Sequence, residues 1–194
     1  YRTVTFELTA ASQSGDYEDR LALQAREGDR SAFDELVRRY SPRLFRFACR
    51  MLQNPADAED VVQSSLLRAY RGLEAYRPGG HFGSWIYRIA LNECRRRLRS
   101  RRGDAVCAEE TALATPAGPA TDPENVAMKH DRNRIVQNAV MSLPQHYREA
   151  VLLFYFDGLS VEEAAQAMGT SVTAAKVRLH RARAKLGAAL EGRL

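Results

Sequence analysis

Apolar residues recur at three- and four-residue intervals along most of the chain, the spacing of helices with one buried face. In SAFDELVRRYSPRLFRFACRMLQN, Phe33, Leu36, Val37 and Tyr40 are followed at the same spacing by Leu44, Phe47, Ala48 and Met51, with Pro42 expected to break or kink the helix. NPADAEDVVQSSLLRAYRGL starts with Asn54 suited to the N-cap and Pro55 to the first helical position. Its inner stripe is Ala58, Val61, Val62, Leu66, Ala69, Tyr70 and Leu73. GGHFGSWIYRIALNECRRRLRSRR, residues 79–102, gives the next helix, with Phe82, Trp85, Ile86, Ile89, Ala90, Cys94 and Leu98 inward. Further helices are expected near 126–142, 145–157, 161–168 and 172–190. The alternating VTFEL near the start has strand spacing but no partner strand, and it stays unassigned.

The expected fold class is therefore all-α, and a change of composition divides it. Residues 103–125 carry five acids, no Lys or Arg, three prolines and no periodic apolar face, which reads as a flexible acidic linker. The expected organisation is an unassigned segment 1–19, a small helical domain 20–102, the linker 103–125 and a second helical domain 126–194. The chain of 194 residues is long enough for two such domains. It begins at Tyr1 rather than Met, so the natural N-terminus is expected to be missing.

Charge changes the picture by its distribution more than by its total of +5. The 79–102 helix closes with six arginines in eight positions. Cys49, Cys94 and Cys107 form no C-x-x-C pair and are odd in number, which argues against a disulfide framework and for a reducing cytoplasm. No secretory signal and no apolar run near eighteen residues is present, so no direct membrane insertion is expected. Four histidines without H-x-x-x-H, and no G-x-x-x-x-G-K or nucleophile elbow, argue against an enzyme and give no cofactor or metal site.

LSVEEAAQAMGTSVTAAKVRLHRARAKL has the shape of a DNA-binding helix-turn-helix. Ser160 and Glu163 form a capping box, and Val161, Ala164, Ala165 and Met168 a short buried stripe. Gly169 suits a left-handed C-cap, and Ser171 can cap the next helix. That helix buries Ala175, Leu179, Ala182 and Leu186. Lys176, Val177, His180 and Arg181 face out, with Ser171 and Thr173 at the start and Arg178, Arg183 and Lys185 flanking. Outward groups can reach base edges in the major groove while flanking cations hold phosphates.

In the first half two readings stay open. Phe82 and Trp85 suit a core, whereas Tyr87 lies off the Trp85–Ile86–Ile89 face, beside Arg88, Leu91, Asn92, Arg95 and Arg99. An exposed Tyr, an amide and guanidiniums on one face suit single-stranded nucleic acid; a solvated, merely basic surface is the competing account. The preceding loop from Tyr76 to His81, with Arg77, is rich in glycine and could approach a strand closely.

DAEDVVQ, then FGSWIYRIALN with trailing arginines, then an acidic linker, then LPQHYREAVLLFYFDGLSVEEAAQAMGTSVTAAKVRLHRARAKL, resembles the extracytoplasmic-function (ECF) class of alternative sigma factors over about residues 20–190. The resemblance implies a domain 2 at about 20–102 that binds the RNA polymerase clamp and melts the minus-ten element. It implies a domain 4 at about 126–192 that reads the minus-thirty-five element and docks on the polymerase flap. Asp57, Glu59, Asp60 and Gln63 match the family's clamp-binding helix, and Phe82, Trp85, Ile86, Ile89, Ala90 and Asn92 its melting helix. The implied minus-ten set is Arg77, His81, Tyr87, Arg88, Asn92, Arg95, Arg96 and Arg99. Lys176, Val177, His180 and Arg181 fall where the family reads bases. Departures are Ser64 in place of a common acid, Leu66 in place of a common aromatic, Arg96 where an acid is frequent, and the glycine-rich RPGGH loop. The implied partners are RNA polymerase core, promoter DNA and an anti-sigma factor, through which the chain could be held at the inner membrane. The rival reading is a helix-turn-helix regulator that binds duplex DNA without polymerase; the first half lacks the uninterrupted heptad helix of a usual dimer.

Overall fold

A computed structural model of the chain describes residues 15–77, 79, 81–104 and 134–191. The VTFEL stretch, linker residues 105–125 with Cys107, and the first part of the helix expected from 126 lie outside the described residues. Those described contain no strand. Helix α1 spans 15–26, α2 Arg30–Leu52, α3 Pro55–Gly72 with a 3₁₀ turn Leu73–Ala75, and α4 Phe82–Asp104. After the linker come α5 (134–142), α6 (Gln145–Val151) running into a π-helical turn Leu152–Phe156, α7 (Val161–Met168) and α8 (Val172–Leu190).

Local chemistry sets these boundaries. Asp29 caps α2 by accepting from the Ser31 and Ala32 amides, and Asn54 caps α3 by accepting from the Asp57 amide. Gln53, at φ 52°, ends α2 in the left-handed conformation and donates its N–H to Cys49. The expected break at Pro42 does not occur: α2 is continuous through it. Pro42 lies on the exposed side, so the carbonyl left without a donor one turn earlier faces water rather than the core.

Helices α2, α3 and α4 pack around Leu36, Tyr40, Leu44, Phe47, Met51, Val61, Phe82, Ile86, Tyr87 and Leu91, all essentially inaccessible. Aromatic edges lock this core, with Tyr40–Phe82 centroids 5.3 Å and Phe47–Tyr87 centroids 5.4 Å apart. Some expected inward positions differ. Tyr70 is about half exposed and rests its ring edge on Phe33, while Ser65 takes its place in the buried stripe. Trp85 and Ile89 are only partly buried and line an open groove of about 810 Å³ between α3 and α4.

In the second domain α6 and α7 pack on α8 through small residues: Ala164, Ala165 and Ala167 on α7, Ala175 and Ala182 on α8. The capping box forms as expected, with the Ser160 N–H donating to Glu163 Oε2 (2.8 Å) and the Glu163 N–H to Ser160 Oγ (3.1 Å). Gly169 at φ 68° closes α7, and Ser171 accepts from the Ala174 amide (3.2 Å) to start α8. The turn before α7 is wide, the Asp157 N–H reaching back five residues to the Leu152 carbonyl (3.0 Å).

Ser160→Ala should therefore cost about 1 kcal/mol of unfolding free energy, read by urea denaturation of the full chain. Combined with Glu163→Ala the loss should fall short of the sum of the two, since each group's partner is the other.

Candidate nucleic-acid interface

The helix-turn-helix delivers the outward face that the sequence specifies. Ser171, Thr173, Lys176, Val177, His180, Arg181, Arg183 and Lys185 are all exposed, on the side of α8 opposite Ala175, Leu179 and Ala182. Arg178 is the exception in this set: it is half-buried and donates to the Met168 sulfur (3.7 Å), tying α8 to α7. With Ser171 and Gly169 fixing the angle of entry, the outward groups of α8 can address a groove edge while α7 lies behind.

On α4 the expected single basic face divides among three surroundings. Arg88, Asn92 and Arg99 are exposed, and so are Arg77 and His81 on the preceding loop. Arg96 is exposed but bonded to the buried Glu93 (2.9 Å), which also takes Arg68 (2.8 Å). Asn92 and Glu93 line the groove beside Trp85 and Ile89.

Tyr87 and Arg95 are placed differently from expectation. Tyr87 was expected to be exposed; it is fully buried between Tyr40 and Phe47, and its hydroxyl donates to Asp157 Oδ1 (3.0 Å). Two different neighbours account for this: the Tyr87 side of α4 packs on α2 of its own domain, and the second domain takes only its hydroxyl, whereas Arg95 meets the second domain directly. Arg95 makes a two-pronged ion pair with Glu149, Nη2 to Oε2 at 2.6 Å and Nε to Oε1 at 3.0 Å. Glu149 is 2% exposed and also accepts from Gln145 (3.0 Å).

These contacts belong to one interface between the two domains. Ser84 on α4 is hydrogen-bonded to Gln166 on α7 (2.7 Å). Arg43 donates to the Asp157 carbonyl (3.1 Å), and the Arg50 guanidinium lies over the Phe156 ring at 4.8 Å. Burial pushes the Asp157 carboxyl up to about 6, against the pull of the Tyr87 hydroxyl and of Arg50, Arg43 and Arg46. Its second oxygen is buried without a hydrogen-bond partner. Cys94, on the buried side of α4, is likewise pushed up by burial to about 12 and is a free thiol, as is the half-buried Cys49.

The acidic start of α3 is also partly committed within the domain. Asp57, expected at the polymerase contact, is turned inward and bonded to Arg97 (2.7 Å) and Arg101, bracing α3 against α4. Asp60 shares Arg97 (2.7 Å) but stays exposed, as do Glu59 and Gln63. The sequence offered the arginines only as an undivided run, and no local spacing tells which of them fold back onto α3.

Among the described residues no group of His, Cys, Asp and Glu could hold a metal ion, and no helix is long and apolar enough to cross a membrane.

Residues 36–103 match Sigma-70 region 2, and residues 133–186 match Sigma-70, region 4. The sigma factor CarQ of Myxococcus xanthus is 37% identical over 161 residues, covering 83% of this chain and 90% of CarQ. The ECF sigma factor SigW of Bacillus subtilis is 31% identical over 170 residues, covering 84% and 91%. Of solved structures, CnrH in complex with the cytosolic domain of CnrY matches with a TM-score of 0.70 at 31% identity, over 92% of this chain and 100% of CnrH. The sigma factor RpoE of Bartonella quintana, solved with the anti-sigma factor NepR, matches with a TM-score of 0.67 at 25% identity, over 84% and 98%. A region 2 bundle, a helix-turn-helix region 4 and relatives matched across both place the chain in the ECF class of RNA polymerase sigma factors, the initiation factors that bring polymerase core to promoter DNA.

Proposed function

We propose that α1–α4 act as domain 2 and α5–α8 as domain 4 of this sigma factor, with the base-reading residues at the exposed positions described above. The observation that carries the reading is the one-sided, capped α8, where Lys176, His180 and Arg181 stand a turn or less apart with Arg183 and Lys185 beside them. In this reading Lys176, Val177, His180 and Arg181 address the minus-thirty-five bases, and Arg183 and Lys185 the phosphates, with Ser171 and Thr173 at the helix start. Glu59, Asp60 and Gln63 present the clamp-binding surface, with Asp57 holding α3 in place beneath it. Arg77, His81, Arg88, Asn92, Arg96 and Arg99 track the opened minus-ten strand. An ordinary duplex-binding regulator has no use for a region 2 bundle, and that reading is set aside.

Arg95 can serve a strand only once the domains part, so this arrangement is a closed, resting one, while the Tyr87 ring stays in the core of its own domain. CnrH and RpoE of Bartonella quintana were each solved with a bound partner, the cytosolic domain of CnrY and the anti-sigma factor NepR. An anti-sigma factor that holds the closed arrangement suits this chain as well. The chain would act in the cytoplasm, or be held at the inner membrane where such a partner carries an anchor, and would answer a signal that releases the partner.

Three outcomes are expected. Arg95→Ala leaves Glu149 buried without its cation, a cost of about 3–5 kcal/mol in such settings, so the free full-length chain should separate its domains and its radius of gyration by small-angle scattering should rise. The second concerns pH. A carboxyl with a raised value favours the state that buries it when protonated, so the closed form should gain as pH falls from about 6 toward the ordinary value of 3.8, and this group should add no further pH dependence above about 6. Fluorescence energy transfer between dyes on the two domains should follow that profile, and Asp157→Asn should flatten it. The third concerns α8. With polymerase core, selection from randomised minus-thirty-five sequences should lose preference at one or two positions in Arg181→Ala, since a bidentate base contact is worth roughly 1–3 kcal/mol of discrimination. Arg183→Ala should weaken binding to all sequences alike and lower the salt slope by about one. An unchanged preference in Arg181→Ala would remove it from the base-reading set.

A further inference from the structure

Asp19 lies on α1, outside the stretch that matches Sigma-70 region 2, and no motif in the sequence singles it out. Its carboxylate nevertheless collects three donors from the connection between α3 and α4. The Tyr76 hydroxyl donates to Oδ1 (2.5 Å), the Phe82 N–H to Oδ1 (2.7 Å) and the Gly79 N–H to Oδ2 (3.2 Å). One side chain thus holds the start, the turn and the end of the loop that carries Arg77 and His81. Arg26, two turns further along the same side of α1, donates to the Tyr76 carbonyl (3.3 Å).

The local sequence cannot supply this anchoring. A helix start leaves its first amides without partners, and a Ser, Thr, Asp or Asn just before it normally accepts from them. Here His81 occupies that position at φ 50°, and the cap for Phe82 comes from α1 instead. Gly79 at φ 89° makes the turn that brings its own N–H to the same carboxylate. Tyr76 is buried and packs on Phe82 and Trp85, so the anchored connection is continuous with the core. A carboxylate beneath a loop that meets a polyanion adds repulsion rather than attraction. Its value there must be geometric.

We propose that Asp19 is a positioning residue for promoter opening: it fixes the loop between α3 and α4 so that Arg77 and His81 meet the opened minus-ten strand in one geometry. The inference rests on the minus-ten role assigned above to that loop. Errors of about 1 Å in a reacting or recognising group can cost up to a hundredfold, and a loop held by three bonds to one carboxylate has little freedom to adapt once they are lost.

The test uses the full chain with polymerase core and a promoter whose minus-ten element is randomised. Asp19→Ala should reduce open-complex formation about tenfold on duplex and pre-melted templates alike, and should flatten base preference at one or two minus-ten positions. Minus-thirty-five preference and affinity for core should stay as in the parent chain. Arg77→Ala and His81→Ala are run beside it. If they alter the minus-ten profile and Asp19→Ala does not, the positioning role is overturned, even where the variant melts at a lower temperature. If all three leave the profile unchanged, the loop has no part in minus-ten reading, and both the role and the assignment beneath it fall. Should Asp19→Ala not fold, Asp19→Asn decides. Its amide can keep one oxygen for Tyr76 and Phe82 but sets a donor against the Gly79 N–H, so an unaltered profile in that variant also overturns the proposal.

Discussion

Everything else in the molecule hangs on how many neighbours α4 must satisfy. One side of the helix fills the domain 2 core with Phe82, Ile86, Tyr87, Leu91 and Cys94. A second meets the other domain through Ser84, Tyr87 and Arg95, and a third carries Arg88, Asn92 and Arg99 to solvent. A helix has only 3.6 residues per turn, so residues at the borders belong to two sides. Tyr87 is such a residue: its ring belongs to the core while its hydroxyl belongs to the domain contact. The aromatic and arginine-rich character of this helix is the result of those overlapping demands, not of one function spread along it.

The domain contact that follows joins an apolar cluster continuous through both domains to a set of specific polar bonds. An interface meant to be permanent would be built from apolar side chains, as the alanine-lined crossing of α7 and α8 is. Between the domains the specific contacts are instead an ion pair, a phenol–carboxyl bond, a serine–glutamine bond and a cation over a ring. Each of these polar groups is readily solvated when the contact opens, but the apolar cluster runs through both domains, so separation also exposes hydrophobic surface. While closed, the same groups are demanding, because Glu149 and Asp157 lose hydration that only their named partners replace. Such an interface is specific, and in the reading proposed above a partner protein decides which state prevails.

How much of this was legible in the sequence depended on the range of the interaction. Asn54–Pro55, Ser160–Glu163, Gly169 and Ser171 act within a few residues, and the helix ends they specify are those observed. The outward side of α8 was legible too, since its neighbours α6 and α7 are close in sequence and leave a simple two-sided pattern. Pro42 misled because a proline on the water side of a helix leaves its orphaned carbonyl solvated, a fact that depends on tertiary placement. Arg95 misled for a related reason: a periodic pattern reports that a side is polar, not whether it meets water or another domain, while Tyr87 misled because its side of α4 packs on α2 of its own domain. Asp19 was invisible, as it stands near the expected domain boundary and acts on chain about sixty residues away.

The arginines show what this implies for reading charge. Those of α4 look alike in sequence, yet Arg97 and Arg101 neutralise Asp57 and Asp60, Arg96 answers Glu93, and Arg95 answers Glu149. An arginine already bonded to a buried carboxylate offers a phosphate little net attraction, because the anion it serves travels with it. Parting the domains changes the sum at one place above all, for it strips Glu149 from Arg95 and leaves that guanidinium beside Arg88 and Arg99. In the proposed reading of α4 as the melting helix, the closed arrangement withholds positive charge as well as surface from the strand. Opening supplies both together, which ties access for the strand to attraction for it.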